Sequence, residues 1–160
     1  MAKTVRLSAD LSDYPDLLVI YLGIRARNLR GMGAILRLGP QIQKSVDAKP
    51  DGLLRHDNMT YTMLPLHVGM RQYWRDVESM LAWATSLPHK TWWTDFMKDS
   101  SGTTFWHETY FRNGGFESIY DDLPDDKRDF GLPSFAPLVP AVGSSFSKFR
   151  KSARAARETN

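Results

Sequence analysis

The longest apolar run in the chain, Leu17-Leu18-Val19-Ile20-Tyr21-Leu22-Gly23-Ile24, covers only eight residues. That is far short of the roughly 20 residues a membrane-spanning helix needs, and its branched and aromatic content suits a strand buried on both faces. At Arg25-Ala26-Arg27 the run gives way to alternation, as a central strand does where its far end reaches solvent. The fold must therefore be organised around one short central strand.

A chain of 160 residues with 42% apolar content is long enough for one core and short for two, so a single domain with tails is expected. Met1 to Asp16 carries Lys3, Arg6, Asp10, Asp13 and Asp16 in place of a secretory apolar region, which reads as a cytoplasmic protein with no membrane partner. The sequence has no cysteine. Disulfides, zinc thiolates, iron–sulfur clusters and cysteine nucleophiles are excluded together, and the chemistry is left to histidine, carboxylates and aromatics. The net charge of +3 is uneven: Ser144 to Asn160 holds Lys148, Arg150, Lys151, Arg154 and Arg157 against Glu158, a net +4 that leaves the rest at −1. Such a run is more often a solvated tail than a nucleic-acid site, and nucleic acid is not an expected partner.

After the first strand, Met32, Ile35, Leu36, Leu38, Ile42 and Val46 fall mostly at helical spacing, with Gly39-Pro40 expected to interrupt or kink the helix before the Pro50-Asp51-Gly52 turn. Leu53 to Leu64 and His67 to Trp74 read as two strands around Pro65. Asp76 opens a helix in which Val77, Met80, Leu81 and Ala84 make an apolar stripe, stopped by Leu87-Pro88. A further helical piece runs from His89 to the break at Ser100-Ser101-Gly102, Thr103 to Arg112 is a strand, and Phe116 to Tyr120 is a short last strand or the lip of a loop. The order is βαββαβ, which predicts an α+β ferredoxin-like domain with helices on one face of an antiparallel sheet. A chain this short has no second layer for the other face, so a partner copy is expected to cover it in a homodimer. The organisation read from this order is an N-terminal extension over 1–14, the ferredoxin-like domain over 15–122 and a Pro/Gly-rich arm with the basic tail over 123–160.

The stretch Pro88-His89-Lys90-Thr91-Trp92-Trp93-Thr94-Asp95-Phe96, followed by Phe105-Trp106-His107-Glu108-Thr109-Tyr110, places one imidazole at a helix start and another inside an aromatic strand. Two histidines could thus face one apolar cavity, the layout of a haem or small-molecule pocket. Each also has a plainer reading: His89 as a residue that caps its helix, His107 as a core residue with satisfied hydrogen bonds. His56 and His67 lie on strands near turns and read as ordinary surface histidines. Most of the aromatics read as core or dimer contacts, with Trp74 and Trp106 as the two to test.

Gln72-Tyr73-Trp74-Arg75-Asp76 before a helix, Pro88-His89 followed by Trp93 and Phe96, the Trp106-His107-Glu108-Thr109-Tyr110 strand, and Glu117-Ser118-Ile119-Tyr120 leading to Leu123-Pro124 together resemble the monooxygenase-like branch of the dimeric α+β barrel superfamily. The resemblance covers roughly residues 15 to 145 by element order. That branch is in turn distantly similar to the haem-containing aldoxime dehydratases, from which this chain differs in having one ferredoxin-like unit instead of two and less than half the usual size. The resemblance implies a haem enzyme acting on a small organic molecule, with His89 as the axial iron ligand, His107 with Glu108 as the catalytic acid/base pair, and Trp92, Trp93, Phe96, Phe105 and Trp106 as porphyrin walls. Two alternatives stay open: a cofactor-independent monooxygenase of the kind that superfamily contains, in which His107 or a tyrosine assists deprotonation, and a non-catalytic dimeric binding protein.

Other motifs are weak. Gly31-Met32-Gly33 lacks the third glycine and acidic partner of a dinucleotide fingerprint, Asp121-Asp122 and Asp125-Asp126 lack the ligand spacing of a calcium loop, and no serine elbow is present.

Overall fold

The computed structural model describes residues 4–112 and 116–141; the basic tail, Ser144 to Asn160, lies outside the described residues. In chain order the elements are β1 (Arg6–Ala9), β2 (Leu18–Ala26), α1 (Leu29–Asp47), β3 (Leu53–Thr62), β4 (His67–Trp74), α2 (Val77–Thr85), α3 (His89–Lys98), β5 (Thr103–Phe111), β6 (Tyr120–Asp121) and β7 (Leu138–Pro140). They divide into two units, one from Leu18 to Tyr110, the other made of the chain before and after it.

The larger unit holds a four-stranded sheet in the order β3-β4-β2-β5. The apolar run supplies an inner strand, as its composition requires. β2 and β4 are antiparallel, with Leu18 opposite Trp74 and Arg25 opposite His67, and β3 runs antiparallel along β4 with irregularities between Leu53 and Arg55 and between Thr60 and Thr62. With two helical crossovers this is the ferredoxin-like α+β arrangement that the element order predicts.

Caps set the helix starts. α1 begins upstream of its first apolar-periodic residue because the Asn28 side chain accepts a hydrogen bond from the Gly31 amide at 3.0 Å. It then runs through Pro40 to Asp47 without ending, so of the two expectations at Gly39-Pro40, an interruption or a kink, the interruption does not occur. Proline has no N–H for the Leu36 carbonyl, a loss of one bond in a helix of 19 residues; the Gln41 side-chain amide donates separately to the Arg37 carbonyl at 3.1 Å. Asp76 caps α2 by accepting from the Ser79 amide at 2.7 Å; that bond, the Ser79 side chain and Arg75 hold its carboxyl down to about 2.

The core lies between the sheet and its helices. Leu18, Ile20 and Trp74 are buried there, with Leu22 and Leu53 and with Val77, Met80 and Trp83 of α2 packed against them. Burying a large apolar side chain contributes on the order of 1.5–3 kcal/mol, so this cluster anchors α2 firmly. α3 is different: none of its residues is buried, and its first turn has no side-chain cap.

The smaller unit is a three-stranded sheet, β6-β1-β7, in which Leu7 stands opposite Tyr120 on one side and Pro140 on the other. Arg6 pairs with Asp121 at 2.7 Å. The Arg112 guanidinium donates to the carbonyls of Leu11 and Tyr14 at 3.0 and 2.7 Å, and the Tyr14 ring meets Phe135 edge-on at 5.2 Å. Leu11, Leu17, Leu132, Pro133 and Ala136 are among the buried apolar residues of this unit. Among the described residues no helix is long and apolar enough to cross a membrane.

Candidate functional site

His89 opens α3 and packs into a row of rings. Its imidazole lies 4.7 Å from the Trp83 ring and 6.1 Å from Trp92, and Trp83 continues to Trp74 at 5.4 Å. Its Nδ1 is 2.8 Å from the Ala84 carbonyl oxygen. A carbonyl only accepts, so Nδ1 carries the hydrogen and Nε2 carries the lone pair. Burial pushes this imidazole below its ordinary pKa, with the Ala84 bond opposing, so the neutral donor form is favoured. A neutral imidazole whose other nitrogen is pinned to a backbone carbonyl is the form that binds a metal. Among the described residues no three His, Cys, Asp or Glu side chains gather as a metal cluster; an axial bond to haem iron asks for only one donor.

The strand period then divides the predicted residues of β5. Phe105 and His107 point to the helix side, where Phe105 meets Trp93 at 5.5 Å, Phe96 at 5.8 Å and His107 at 5.9 Å. Trp93 and Phe96 stack on each other at 5.8 Å. The structure thus brings Trp93, Phe96, Phe105 and His107 into one cluster, and His89 and Trp92 into a second on the same helix. α3 belongs to both.

Trp106 and Glu108 lie on the opposite face of the sheet. There the indole Nε1 of Trp106 donates to Nε2 of His67 at 3.0 Å, and Tyr61 stacks on His67 at 4.6 Å. Glu108 accepts from the Tyr110 hydroxyl at 2.6 Å and so pushes that phenol's pKa up. Tyr110 meets Tyr21 edge-on at 5.9 Å, and Arg71 reaches both the Tyr21 hydroxyl, at 3.3 Å, and Asp57, at 2.9 Å. The small residues Gly23 and Gly69, opposite each other across β2 and β4, form the floor under these rings: a Cβ at Gly23 would stand 2.6 Å from the Trp106 indole nitrogen. Trp74 and Trp106 are therefore on different faces and on strands separated by β2, not on neighbouring strands.

Several functional candidates carried no sequence signal. Trp74 donates its N–H to Gln72 at 3.1 Å, the Gln72 amide nitrogen is 3.2 Å from Nδ1 of His56, and Nε2 of His56 is 3.0 Å from the Asn58 side-chain oxygen. Asn58 donates to Gln43 at 3.0 Å, and Gln43 to Asp47 at 2.8 Å. Read from donor to acceptor, the bonds all point one way and end on a carboxylate, which fixes His56 as the neutral Nε2–H tautomer. On the same helix, Ser45 accepts from Trp83 Nε1 at 3.2 Å and Gln41 from Trp92 Nε1 at 3.1 Å. Glutamines and serines of an exposed helix face look like solvated surface in a sequence; only the fold shows what they hold.

A family model described as monooxygenase af470-like matches residues 17–128. Aliphatic aldoxime dehydratases from Rhodococcus globerulus and Rhodococcus erythropolis are 37% and 35% identical over 114 residues, 65% of this chain and 31% of theirs. A crystal structure of an aldoxime dehydratase in complex with butyraldoxime superposes with a TM-score of 0.69 at 25% identity, covering 92% of this chain and 43% of that one. A Shewanella oneidensis protein, at TM-score 0.50 and 13% identity over 66% of this chain and 93% of its own, shares the fold alone. The chain spans about a third of the length of the curated relatives it matches. The ferredoxin-like sheet and the match across most of its length place the chain in the monooxygenase af470-like family.

Proposed function

We propose that the protein is a cytoplasmic, homodimeric haem-binding enzyme that acts on a small organic substrate, dehydratase- or monooxygenase-like, with His89 as the axial iron ligand and His107 as the distal acid/base. The observation that carries this reading is the His89 imidazole: Nδ1 is spent on Ala84 and Nε2 holds a lone pair, on a helix whose aromatic residues remain unburied. Similarity to the aldoxime dehydratases adds support. Trp92 beside His89, Phe105 beside His107, and Trp93 and Phe96 against Phe105 supply flat apolar faces that suit a porphyrin. When bound, haem supplies an electrophilic, redox-active iron. His107, beside Phe105 on the helix side, holds and moves a proton there, since imidazole both gives and accepts one. Glu108 and Trp106 face away from this cluster, so they would act through the strand or at the subunit interface.

A second reading rests on the other face. The Glu108-Tyr110-Tyr21-Arg71 group joins a carboxylate, two phenols and a cation, a set able to hold a substrate anion for cofactor-independent oxygenation. An absorption spectrum decides between the two. Protein produced with ample haem, or reconstituted with it, should show a Soret band in the haem reading; no such band, together with oxygen uptake by the metal-free protein, would favour the second.

A further inference from the structure

We propose that Gln41 and Ser45 of α1 are positioning residues for His89: a side-chain clasp that holds the two indoles flanking the imidazole and so fixes the plane of its ring. The inference rests on the role given to His89 above.

The bond from Nδ1 to Ala84 pins one atom of the imidazole but leaves rotation about that contact, and torsions into an aromatic ring are intrinsically broad. What limits them is the neighbouring rings, tilted 49° for Trp83 and 62° for Trp92. Those rings have broad torsions of their own. Each is stopped by a single directional bond from its only polar atom: Trp83 Nε1 to the Ser45 hydroxyl, Trp92 Nε1 to the Gln41 carbonyl oxygen. Gln41 and Ser45 are one helical turn apart, so one stripe of α1 reaches α2 and α3 together.

Gln41 is itself held at both ends. Its amide nitrogen donates to the Arg37 carbonyl at 3.1 Å while its oxygen accepts from Trp92, so the oxygen is aimed at the indole and cannot swap places with the nitrogen without losing both bonds. α3 needs such a tie, because it has neither a buried residue nor a side-chain cap to hold its first turn, and its first residue is the proposed ligand. Trp83, in contrast, is also packed on the core at Trp74. Loss of Ser45 should loosen a ring that stays in place, and loss of Gln41 should loosen the helix end itself.

The test uses Gln41→Leu, Ser45→Ala and the double variant, with Ser45→Thr as the variant that keeps the hydroxyl. The first readout needs no haem: the titration midpoint of His89 followed by NMR. In the double variant it should rise toward the ordinary imidazole value as the ring gains water, and Ser45→Thr should behave as the parent does. The second readout is haem transfer to excess apomyoglobin, which should speed up about 3- to 10-fold for each bond removed, the size expected of a single hydrogen bond. An unchanged His89 midpoint in the double variant, with faster exchange showing that both indole N–H bonds are gone, overturns the clasp. Should the double variant fail to fold, Ser45→Ala alone carries the same comparison against Ser45→Thr. A shifted midpoint in a protein that takes up no haem leaves the clasp standing and removes the haem reading instead.

Discussion

His56 presents its bare Nδ1 to the Gln72 side-chain amide at 3.2 Å, and the bond exists only while that imidazole is neutral. Protonation would set two N–H groups against each other. Gln72 could then turn its oxygen to His56 only by giving up the indole of Trp74, one of the most buried side chains in the chain.

The first prediction concerns pH. Burial lowers the folded-state values of both His56 and His89 below their ordinary 6.5. Between the folded and unfolded values the unfolded chain binds more protons, so stability rises with pH. The contribution should be complete above about pH 6.5 and should erode as the pH falls through the folded values. Urea melts at pH 5 and pH 7.5 check this, and His56→Gln should reduce the difference; equal stability at the two pH values in the parent would count against it.

Two glycine substitutions should act in opposite directions. A Cβ at Gly69 would meet the Leu22 carbonyl oxygen, which is backbone and cannot move aside, and the Tyr61 ring at 2.7 Å. Gly69→Ala should cost about 1–3 kcal/mol, the usual range for overpacking. Gly33 lies inside α1 with nothing within 4 Å of its would-be Cβ, and Gly33→Ala should stabilise by about 0.5–1 kcal/mol through helix propensity. Chemical denaturation of the two variants side by side settles the comparison.

The two site histidines should differ in kind. His89→Ala should abolish or markedly weaken haem binding, since the bond to iron goes while the apolar walls remain. His107→Ala should keep the Soret band and slow turnover by about 10²- to 10⁴-fold, the range of a lost acid/base. Haem titration and steady-state rates on both variants are the measurements, and identical haem affinity in parent and His89→Ala would reassign the ligand.

A dimer is expected from the sheet face that carries Tyr61, Trp106 and Tyr110, where Tyr61 and Tyr110 stay exposed. Its total interface should exceed about 2,000 Å², as obligate pairs do. Sedimentation at micromolar concentration should give twice the chain mass, and Tyr110→Asp should shift it toward the monomer.

The sequence showed the larger unit well because its signals are periodic and long. β4 occupies the predicted residues, and Asp76 and the Ser100-Ser101-Gly102 break bound their helices where expected. At Pro40 the pattern allows either an interruption or a kink, and α1 is not interrupted: one missing N–H, the one the Leu36 carbonyl would use, does not end a helix that continues on both sides. The strands β1, β6 and β7 have four, two and three residues, too few for an alternation to be visible, and their pairing joins segments far apart in sequence. For the candidate site, the sequence places the aromatic segment and its two histidines on a helix and the strand after it, and they lie on α3 and β5. The split of β5 between two faces also follows from the strand period, but which face meets the helices does not, and that decides that Phe105 and His107 keep company with Trp93 while Trp106 and Glu108 do not.

The small sheet has a practical consequence. β1 is its middle strand, with β6 on one edge and β7 on the other, so trimming the first nine residues would remove the one element that both flanking strands use for their backbone bonds. β1 is thus a keystone, and affinity tags or fusion partners should be planned with Arg6 to Ala9 left untouched.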